Sequence, residues 1–125
     1  NSSKQAKEIS MQLPVPAYWA AGLHPHDAKN LSSQKEELSR LIGEADLIGE
    51  TGLDYYRDHS TREQQHENLI FHLEMAKDLQ KPLIVHCRIH FILSITCIQI
   101  FIVSKQMMRR NFCCYWEIIY LCFSN

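Results

Sequence analysis

Two apolar segments of this sequence each lead directly into a side chain that can bind a metal ion. Residues 47–49 (Leu-Ile-Gly) are followed by Glu50, and residues 83–85 (Leu-Ile-Val) are followed by His86. Carboxylate oxygens bind hard divalent cations and can bridge two of them, and neutral imidazole is the commonest metal-binding side chain. In parallel α/β proteins, ligands and catalytic groups gather at the carboxyl ends of strands. If the two strands are sheet neighbours, Glu50 and His86 emerge about 5 Å apart and predict a metal site.

Each of these two residues also has a simpler interpretation. Glu50 is equally well explained as a surface glutamate at a strand–loop junction, because a carboxylate is costly to bury unless it is paired or metal-bound. A lone histidine after an apolar strand is more often a hydrogen-bonded core residue than a ligand. The metal interpretation gains weight from the order of the chain, since the strand that bears His86 directly follows the one that bears Glu50.

A third group of polar side chains, His24-Pro25-His26, follows the earliest apolar segment. Pro25 biases His24 towards an extended backbone and so holds it at the end of a strand. Taken alone, this motif is equally well explained as a turn with two solvated histidines. Beside Glu50 and His86, it becomes a third successive strand end with a possible metal ligand or phosphate contact.

Two arginines lie close to these strand ends in sequence. Arg57 and Arg88 could each hold a phosphate in bidentate fashion, and each is otherwise an ordinary loop arginine. Three further histidines are most simply interpreted as solvated: His59, His66 and His72. The sequence contains no G-x-S-x-G, no P-loop and no G-x-G-x-x-G, which argues against serine-hydrolase and nucleotide-binding chemistry.

The elements that must position these residues alternate between strand and helix patterns. Strands are predicted over residues 15–23, 47–51 and 83–85. The motifs at residues 33–36 (S-Q-K-E) and 61–64 (T-R-E-Q) have the form of capping boxes, and each is followed by apolar residues at helical spacing. The order β-α-β-α-β predicts right-handed crossovers and a parallel sheet, which places the chain in the α/β class.

Residues 89–125 break this pattern, because they contain no Gly, Pro, Ala or Asp and so almost no turn signals. A transmembrane helix needs about 20 apolar residues, and this segment is interrupted by polar ones. An ordinary core helix or strand pair is a second interpretation. We favour a third, in which residues 1–88 form the domain and residues 89–125 are a divergent apolar tail foreign to it, for example translated intron or a shifted frame.

Composition sets broad limits on function. The 125 residues carry a net charge of -1, so there is no strong basic patch and charge alone does not predict nucleic-acid binding. A nuclease could still work from such a chain if bound divalent cations supplied the positive field. The five cysteines form no C-x-x-C pair, and the polar residues that follow Asn1 give no support for a signal segment. We therefore expect free thiols and a cytoplasmic location, with the nucleus as the alternative and a membrane disfavoured.

Three motifs contain these candidate residues: G-L-H-P-H-D-A (residues 22–28), I-G-E-T-G-L-D-Y-Y-R-D (residues 48–58) and P-L-I-V-H-C-R (residues 82–88). Together, in this order and at this approximate spacing, they resemble the TatD family of metal-dependent hydrolases. The resemblance implies a TIM-type (β/α) barrel of the amidohydrolase kind that hydrolyses DNA phosphodiester bonds with two divalent metal ions. Magnesium, manganese and zinc all remain candidates, and nothing in the sequence specifies an oligomeric state.

The resemblance also assigns roles to individual residues. It implies that Glu50 is the carboxylate shared between the metals, that His86 is a ligand of one metal, and that His24 is an active-site histidine near the substrate phosphate or metal. Arg57 and Arg88 remain candidates for phosphate contact. A metal-activated water would attack phosphorus while the metals stabilise the developing charge.

The chain also departs from the family pattern. An H-x-H pair of metal ligands would lie before Asn1, and a later histidine and aspartate have no counterpart after His86. About three β/α units remain of the eight in a barrel, so we expect a truncated and inactive or very weak enzyme. Two alternatives stay open. One is a non-catalytic fragment whose apolar tail binds a membrane or partner, and the other is a related amidohydrolase acting on a small amide or lactone.

Overall fold

The computed structural model describes residues 2–57 and 59–88 in full and the backbone of residues 97–101. Its helices and strands are α1 (Ser2–Gln12), β1 (Ala20–Ala21), a 3-10 helix (Pro25–Asn30), α2 (Leu31–Glu44), β2 (Leu47–Asp54), α3 (Arg62–Leu79), β3 (Leu83–Arg88) and β4 (Cys97–Phe101). The strands form one sheet in the order β1-β2-β3-β4.

The first three strands of this sheet run parallel to one another. Ala21 of β1 pairs with Ile48 of β2, and Gly52 of β2 pairs with His86 of β3. The predicted parallel order is confirmed, and the alternation of these strands with α2 and α3 is consistent with a partial β/α fold. Closure into a barrel stays a prediction.

Strand β4 lies in the segment that we expect to be foreign to the domain. Its backbone pairs antiparallel with β3, with Cys97 opposite Cys87 and Phe101 opposite Leu83. The rest of residues 89–125 lies outside the described residues, so the predicted boundary at residue 88 stays a prediction. Of the helices in the described part of the chain, none has the length and apolar character needed to cross a bilayer.

The first strand is much shorter than predicted. The apolar pattern predicted a strand over residues 15–23, but only Ala20–Ala21 forms one, and Val15 and Tyr18 are exposed. Pairing begins late because β2 itself begins only at Leu47, the partner of Ala20. The prediction was wrong because an apolar, β-branched run forms a strand only where a neighbouring backbone can pair with it.

The two predicted capping boxes have opposite outcomes. The one at residues 61–64 is confirmed: Thr61 Oγ1 accepts from the Gln64 amide at 3.3 Å, and Gln64 Oε1 accepts from the Thr61 amide at 2.9 Å. The one at residues 33–36 was wrong, because the 3-10 helix continues directly into α2. Ser33 therefore lies inside the helix, and its hydroxyl donates to the Asn30 carbonyl at 2.9 Å.

The apolar core lies between the sheet and the helices α2 and α3. Fully buried side chains from α2 (Leu41, Ile42) meet those of β2 (Ile48) and β3 (Leu83). Each such side chain contributes roughly 1.5–3 kcal/mol when it is fully removed from water. This packing fixes α2 against the sheet and leaves the carboxyl ends of β1, β2 and β3 side by side.

Candidate metal centre

Three side chains on or just after the three parallel strands form a cluster with the spacing of a metal site. His24 follows β1, Glu50 lies in β2 and His86 lies in β3, and their ligand atoms are all within 4.8 Å of one another. The His86 side chain is 8% exposed and that of Glu50 is 33% exposed. Ligand atoms bound to one ion are about 3–4 Å apart, so only small side-chain movements separate this donor set from coordination. Two imidazoles and a carboxylate fit a divalent ion.

An irregularity in β2 places Glu50 in this cluster. Ile48 pairs with Leu83 and Thr51 with Val85, so β2 uses one residue more than β3 over this stretch. Such a bulge bends a strand and redirects the side chain within it. Glu50 lies inside the bulge, and its Oε1 is 3.0 Å from His86 Nδ1.

Two glycines of β2 allow the close approach of β3 at this point. Gly49 and Gly52 have φ values of 130° and 139°, a conformation that L side chains rarely adopt. A Cβ on Gly49 would lie 2.6 Å from the Ile84 carbonyl oxygen, and one on Gly52 would overlap the His86 carbonyl. The glycine at position 52 is therefore required for the backbone of β2 to pass beside His86.

Asp54, at the end of β2, joins the cluster from the side opposite Glu50. Its Oδ2 lies 3.2 Å from His86 Nε2 and 2.8 Å from His26 Nε2. Its Oδ1 accepts the Tyr56 amide at 3.0 Å. Burial alone would raise the pKa of Asp54, but the hydrogen bonds from His26, His86 and the Tyr56 amide outweigh burial and lower it. Asp54 is therefore an anion enclosed by donors.

His24 has a hydrogen bond that affects how it can act. Its Nδ1 accepts from the backbone amide of His26 at 3.2 Å, so a neutral His24 carries its proton on Nε2. Burial, followed by the neighbouring His26 and His86, lowers the pKa of His24. The neutral ring is thus favoured, with Nδ1 engaged as an acceptor and Nε2 available as a donor.

The two candidate phosphate-binding arginines differ in their surroundings. Arg88 ends β3, and its guanidinium carbon lies 3.7 Å from the centroid of the Tyr56 ring. The buried Nε of Arg88 has no hydrogen-bond partner among the described residues. Arg57 is exposed in the loop after β2, where its backbone amide donates to Asp54 Oδ1 at 3.3 Å. The structure brings Arg88 next to an aromatic ring and leaves Arg57 at the surface.

Helix α3 holds the end of β2 through Gln65, which is 1% exposed. Gln65 Oε1 accepts the Asp54 amide at 2.7 Å, and its Nε2 donates to the Asp54 carbonyl at 3.0 Å. The same Nε2 donates to the Ser60 carbonyl at 3.0 Å. One side chain thus satisfies both backbone groups of Asp54 and fixes the strand end from which its carboxylate projects.

Helix α3 holds the end of β1 in a similar way. Asn68 Nδ2 donates to the Leu23 carbonyl at 2.7 Å, and His72 Nε2 accepts the Leu23 amide at 3.1 Å. His72 Nδ1 donates to the Asn68 carbonyl at 2.7 Å. Leu23 directly precedes His24, so these contacts help to place His24 in the cluster.

The prediction that His72 is solvated was wrong, because the residue is fully buried in α3. Burial lowers the pKa of His72 to about 4, against the opposing hydrogen bond to the Asn68 carbonyl. His66 is partly buried, and its Nε2 lies 2.7 Å from the Tyr55 hydroxyl. Of the three histidines predicted to be solvated, only His59 is exposed, and its ring lies 4.8 Å from that of His26.

Sequence reasoning missed Asp54 as a member of the cluster and gave His26 no role of its own. The predicted strand ended at residue 51, which left Asp54 in a loop, whereas β2 continues to Asp54. A signal was present: Glu50, Gly52 and Asp54 alternate along the strand, and alternate residues lie on one face. The glycine between the two carboxylates leaves room for His86, whose two ring nitrogens face one carboxylate each.

Comparison with known proteins agrees with the three motifs. The family described as "TatD related DNase" matches residues 1–122. The "3'-5' ssDNA/RNA exonuclease TatD" of Escherichia coli (strain K12) is 37% identical over 90 residues, which cover 69% of this chain and 34% of that protein. The "Uncharacterized metal-dependent hydrolase YcfH" of the same organism is 40% identical over 72 residues, which cover 56% of this chain and 27% of that protein.

The chain spans about a third of the length of the curated relatives that it matches. The family match nevertheless extends over nearly all of its residues and includes every member of the His24–Glu50–His86 cluster. This chain belongs to the TatD family of metal-dependent hydrolases.

Proposed function

We propose that this chain supplies part of the metal centre of a hydrolase that cleaves phosphodiester bonds in nucleic acids. The observation that carries the proposal is the convergence of His24, Glu50 and His86 from three adjacent strands, with potential ligand atoms within 4.8 Å of one another. The relatives named as an exonuclease on single-stranded DNA and RNA and as a metal-dependent hydrolase support the same chemistry. The resemblance of the motifs suggests DNA as the substrate. The name of the Escherichia coli exonuclease adds single-stranded DNA and RNA as candidate substrates.

In this proposal Glu50 and His86 hold a divalent cation between them. Glu50 Oε1 and His86 Nδ1 are 3.0 Å apart, which matches the separation of two ligand atoms on one ion. Glu50 also has a second oxygen and a partly exposed side chain, so it can bridge to a second ion in a two-metal site. When bound, such ions polarise the phosphoryl group and activate a water molecule.

His24 acts in this proposal as a hydrogen-bond donor to a phosphate oxygen. A metal bound through its Nδ1 would displace the His26 amide, and a metal bound through Nε2 would shift the ring proton to Nδ1 and so break the same hydrogen bond. Donation from Nε2 needs neither change. The phosphate would then lie beside the metal ligands, because the His24 and His86 rings are 4.7 Å apart.

Arg88 and Arg57 complete the proposed contacts with the substrate. Arg88 lies two residues beyond His86 on the same strand, so the two side chains lie on one face of β3. Its buried Nε, which has no hydrogen-bond partner in the described part of the chain, is a donor suited to a phosphate oxygen. Arg57, exposed in the adjoining loop, is suited to a phosphate further along a nucleic-acid strand.

Metal binding provides the direct test of this proposal. Titration calorimetry with Mn²⁺ should detect binding to the chain, and Glu50→Gln should weaken it by about 10-fold or more, because a charged ligand is replaced by a neutral amide of the same shape. Glu67→Gln is the matched control, because Glu67 is exposed on α3. Equal Mn²⁺ affinity in Glu50→Gln and in the unchanged protein would remove Glu50 from the metal site.

Hydrolysis is tested separately, with end-labelled single-stranded DNA and RNA in the presence of Mg²⁺ or Mn²⁺. Any activity of the chain should be lost in Glu50→Gln and kept in Glu67→Gln. The expectation that this chain by itself is inactive or very weak stays a prediction that the same assay decides. Activity that survives Glu50→Gln, or that is unaffected by a chelator, would contradict the metal-dependent mechanism.

A further inference from the structure

We infer that Asp54 is a positioning residue of this metal centre, which fixes the tautomer and orientation of His86 and, through His26, the placement of His24. The inference rests on the proposed function and adds to it a residue that contacts neither metal nor substrate. The observation that carries it is one buried carboxylate oxygen, Asp54 Oδ2, within hydrogen-bonding distance of two ring nitrogens.

A carboxylate can only accept hydrogen bonds, so each nitrogen that faces Asp54 must carry a proton. His86 Nε2 lies 3.2 Å from Asp54 Oδ2, and this contact selects the form of His86 that is protonated on Nε2. The lone pair of a neutral His86 is then on Nδ1, which faces Glu50 Oε1 at 3.0 Å. A lone pair and an anionic oxygen repel each other at this distance unless a cation lies between them.

Without the carboxylate of Asp54, the opposite tautomer of His86 is favoured. A proton on Nδ1 would be donated to Glu50, and this single hydrogen bond would occupy both metal-binding groups. Asp54 prevents this outcome because its charge holds the proton on Nε2. A carboxylate behind a metal-bound histidine has this orienting effect in metal sites generally, and it also raises the basicity of the ligand.

Asp54 acts on the other histidine of the cluster indirectly. Its Oδ2 lies 2.8 Å from His26 Nε2, and the backbone amide of His26 donates to His24 Nδ1 at 3.2 Å. The Ser60 hydroxyl also donates to the His26 carbonyl, at 2.8 Å. These contacts fix the first turn of the 3-10 helix, and with it the tautomer of His24 in which Nε2 is the donor.

The surroundings of Asp54 are rigid enough for this role. The residue is 1% exposed, and both of its backbone groups are held by Gln65 at 2.7 Å and 3.0 Å. Its second carboxylate oxygen accepts amides of the loop, from Tyr56 at 3.0 Å and Arg57 at 3.3 Å. With its acceptor sites filled, the carboxylate cannot turn away from His26 and His86 without the loss of several hydrogen bonds.

The test is the state of the His86 ring in the chain saturated with Zn²⁺, read from the side-chain ¹⁵N chemical shifts. His86 is expected to be protonated on Nε2 and metal-bound through Nδ1, with its signals assigned by their absence in His86→Asn. This measurement uses the unchanged protein and is decisive even if variants of Asp54 fail to fold. A His86 bound to zinc through Nε2, or protonated on Nδ1, would overturn the inference.

Asp54→Asn provides the second arm. It keeps an acceptor for the Tyr56 amide but removes the charge, so Zn²⁺ affinity should fall by about 10–100-fold and the two His86 tautomers should mix. Asp46→Asn is the matched control, because the Asp46 carboxylate also accepts a backbone amide, from Trp19 at 3.1 Å, but lies outside the cluster. Its Zn²⁺ affinity and His86 shifts should be unchanged.

The two proposals fail in different ways. Zn²⁺ affinity that depends on Glu50 but is the same in Asp54→Asn, in a protein whose amide spectrum shows a folded chain, contradicts the role of Asp54 and leaves the proposed function intact. Zn²⁺ binding that is indifferent to Glu50 contradicts the proposed function and removes the inference with it.

Discussion

Charged side chains meet in two regions of this protein, and the contrast between the regions distinguishes the proposed site from an ordinary charged surface. On the surface of α1 and α2, Lys4, Glu37 and Arg40 form ion pairs of 2.7 Å and 3.0 Å with side chains 38–53% exposed. At the ends of β2 and β3, Asp54 and His86 meet at 3.2 Å with side chains 1% and 8% exposed. The distances are similar, but the exposure of the side chains to solvent is very different.

Exposure decides what these contacts contribute. Exposed ion pairs are screened by water and salt and add little to stability. A buried carboxylate loses its hydration, and at the strand ends this loss is offset by donors from several elements, including His26 and the Tyr56 amide. Apolar residues would fill such a position at lower cost, so retained buried charge indicates a functional site.

The largest expected effect is at Gly52, where the backbone of β2 passes the His24–Glu50–His86 cluster. Gly52→Ala should destabilise the fold by about 3 kcal/mol or more, because its φ of 139° disfavours any side chain and the new Cβ would overlap the His86 carbonyl. Urea unfolding measures the change. A variant as stable as the parent would show that β2 does not approach β3 this closely.

Gly43 supplies the matched control from the other region. It lies in α2, and a Cβ there meets nothing within 4 Å. Gly43→Ala should therefore stabilise the chain by about 0.5–1 kcal/mol, through the higher helix propensity of alanine. If Gly52→Ala and Gly43→Ala changed stability equally, the close packing of the strands would not differ from the exposed surface of α2 in its tolerance of a side chain.

The next effect in size comes from the buried His72, whose folded-state pKa of about 4 lies below its ordinary value of 6.5. Between these pH values the unfolded chain binds more protons than the folded chain. The contribution of buried, neutral His72 to the free energy of unfolding is therefore fully present above pH 6.5 and is lost as pH falls towards 4. From about pH 7 to about pH 5 the loss should be roughly 2 kcal/mol.

Urea midpoints across this pH range, compared with those of His72→Gln, isolate the contribution of His72. Glutamine can still hydrogen-bond but does not titrate, so the difference in stability between the two proteins should shrink as pH falls. Other titrating groups are common to both proteins and cancel. Parallel curves would mean that His72 is not buried in its neutral form.

The features that sequence predicted well are local ones. The capping box at Thr61 and Gln64 spans a single helical turn, and the alternation of strands and helices fixes their order. Glu50 and His86 were predicted to be neighbours because consecutive strands in such an alternation usually pair. No knowledge of packing was needed for these predictions.

The features that were missed depend on packing between distant segments. In α3 the buried residues Gln65, Asn68 and His72 lie on the same stripe as Leu69 and Ala76, so helical spacing alone would have marked all five as buried. Because Gln65, Asn68 and His72 are polar, a search for apolar residues at helical spacing did not identify them as buried. Several of the backbone groups that satisfy them belong to other segments, namely to Asp54 in β2 and to Leu23 just after β1, which lies 49 positions from His72 in sequence.

The same limit applies to Asp54, whose contact with His26 joins residues 28 positions apart. Sequence showed a carboxylate near the end of a strand but could not show which ring would face it. It also could not show the bulge at Glu50, because a bulge is defined by the register of two strands rather than by either strand alone.

The smallest effect is expected at Glu37, on the exposed face of α2. Hydrogen bonds from Arg40 and Lys4 lower the pKa of Glu37 to about 2, so its contribution is present above about pH 4.5 and is lost as pH falls towards 2. Glu37→Gln should lower the urea midpoint less than Gly43→Ala raises it, and the difference should vanish at about 1 M NaCl, where charges are screened within about 3 Å. Mn²⁺ affinity should stay unchanged.

Glu36→Gln, one residue away and also exposed, is the control. A salt-resistant loss of stability in Glu37→Gln would show that the surface pairs act like the buried ones, and the contrast between the two regions would not hold.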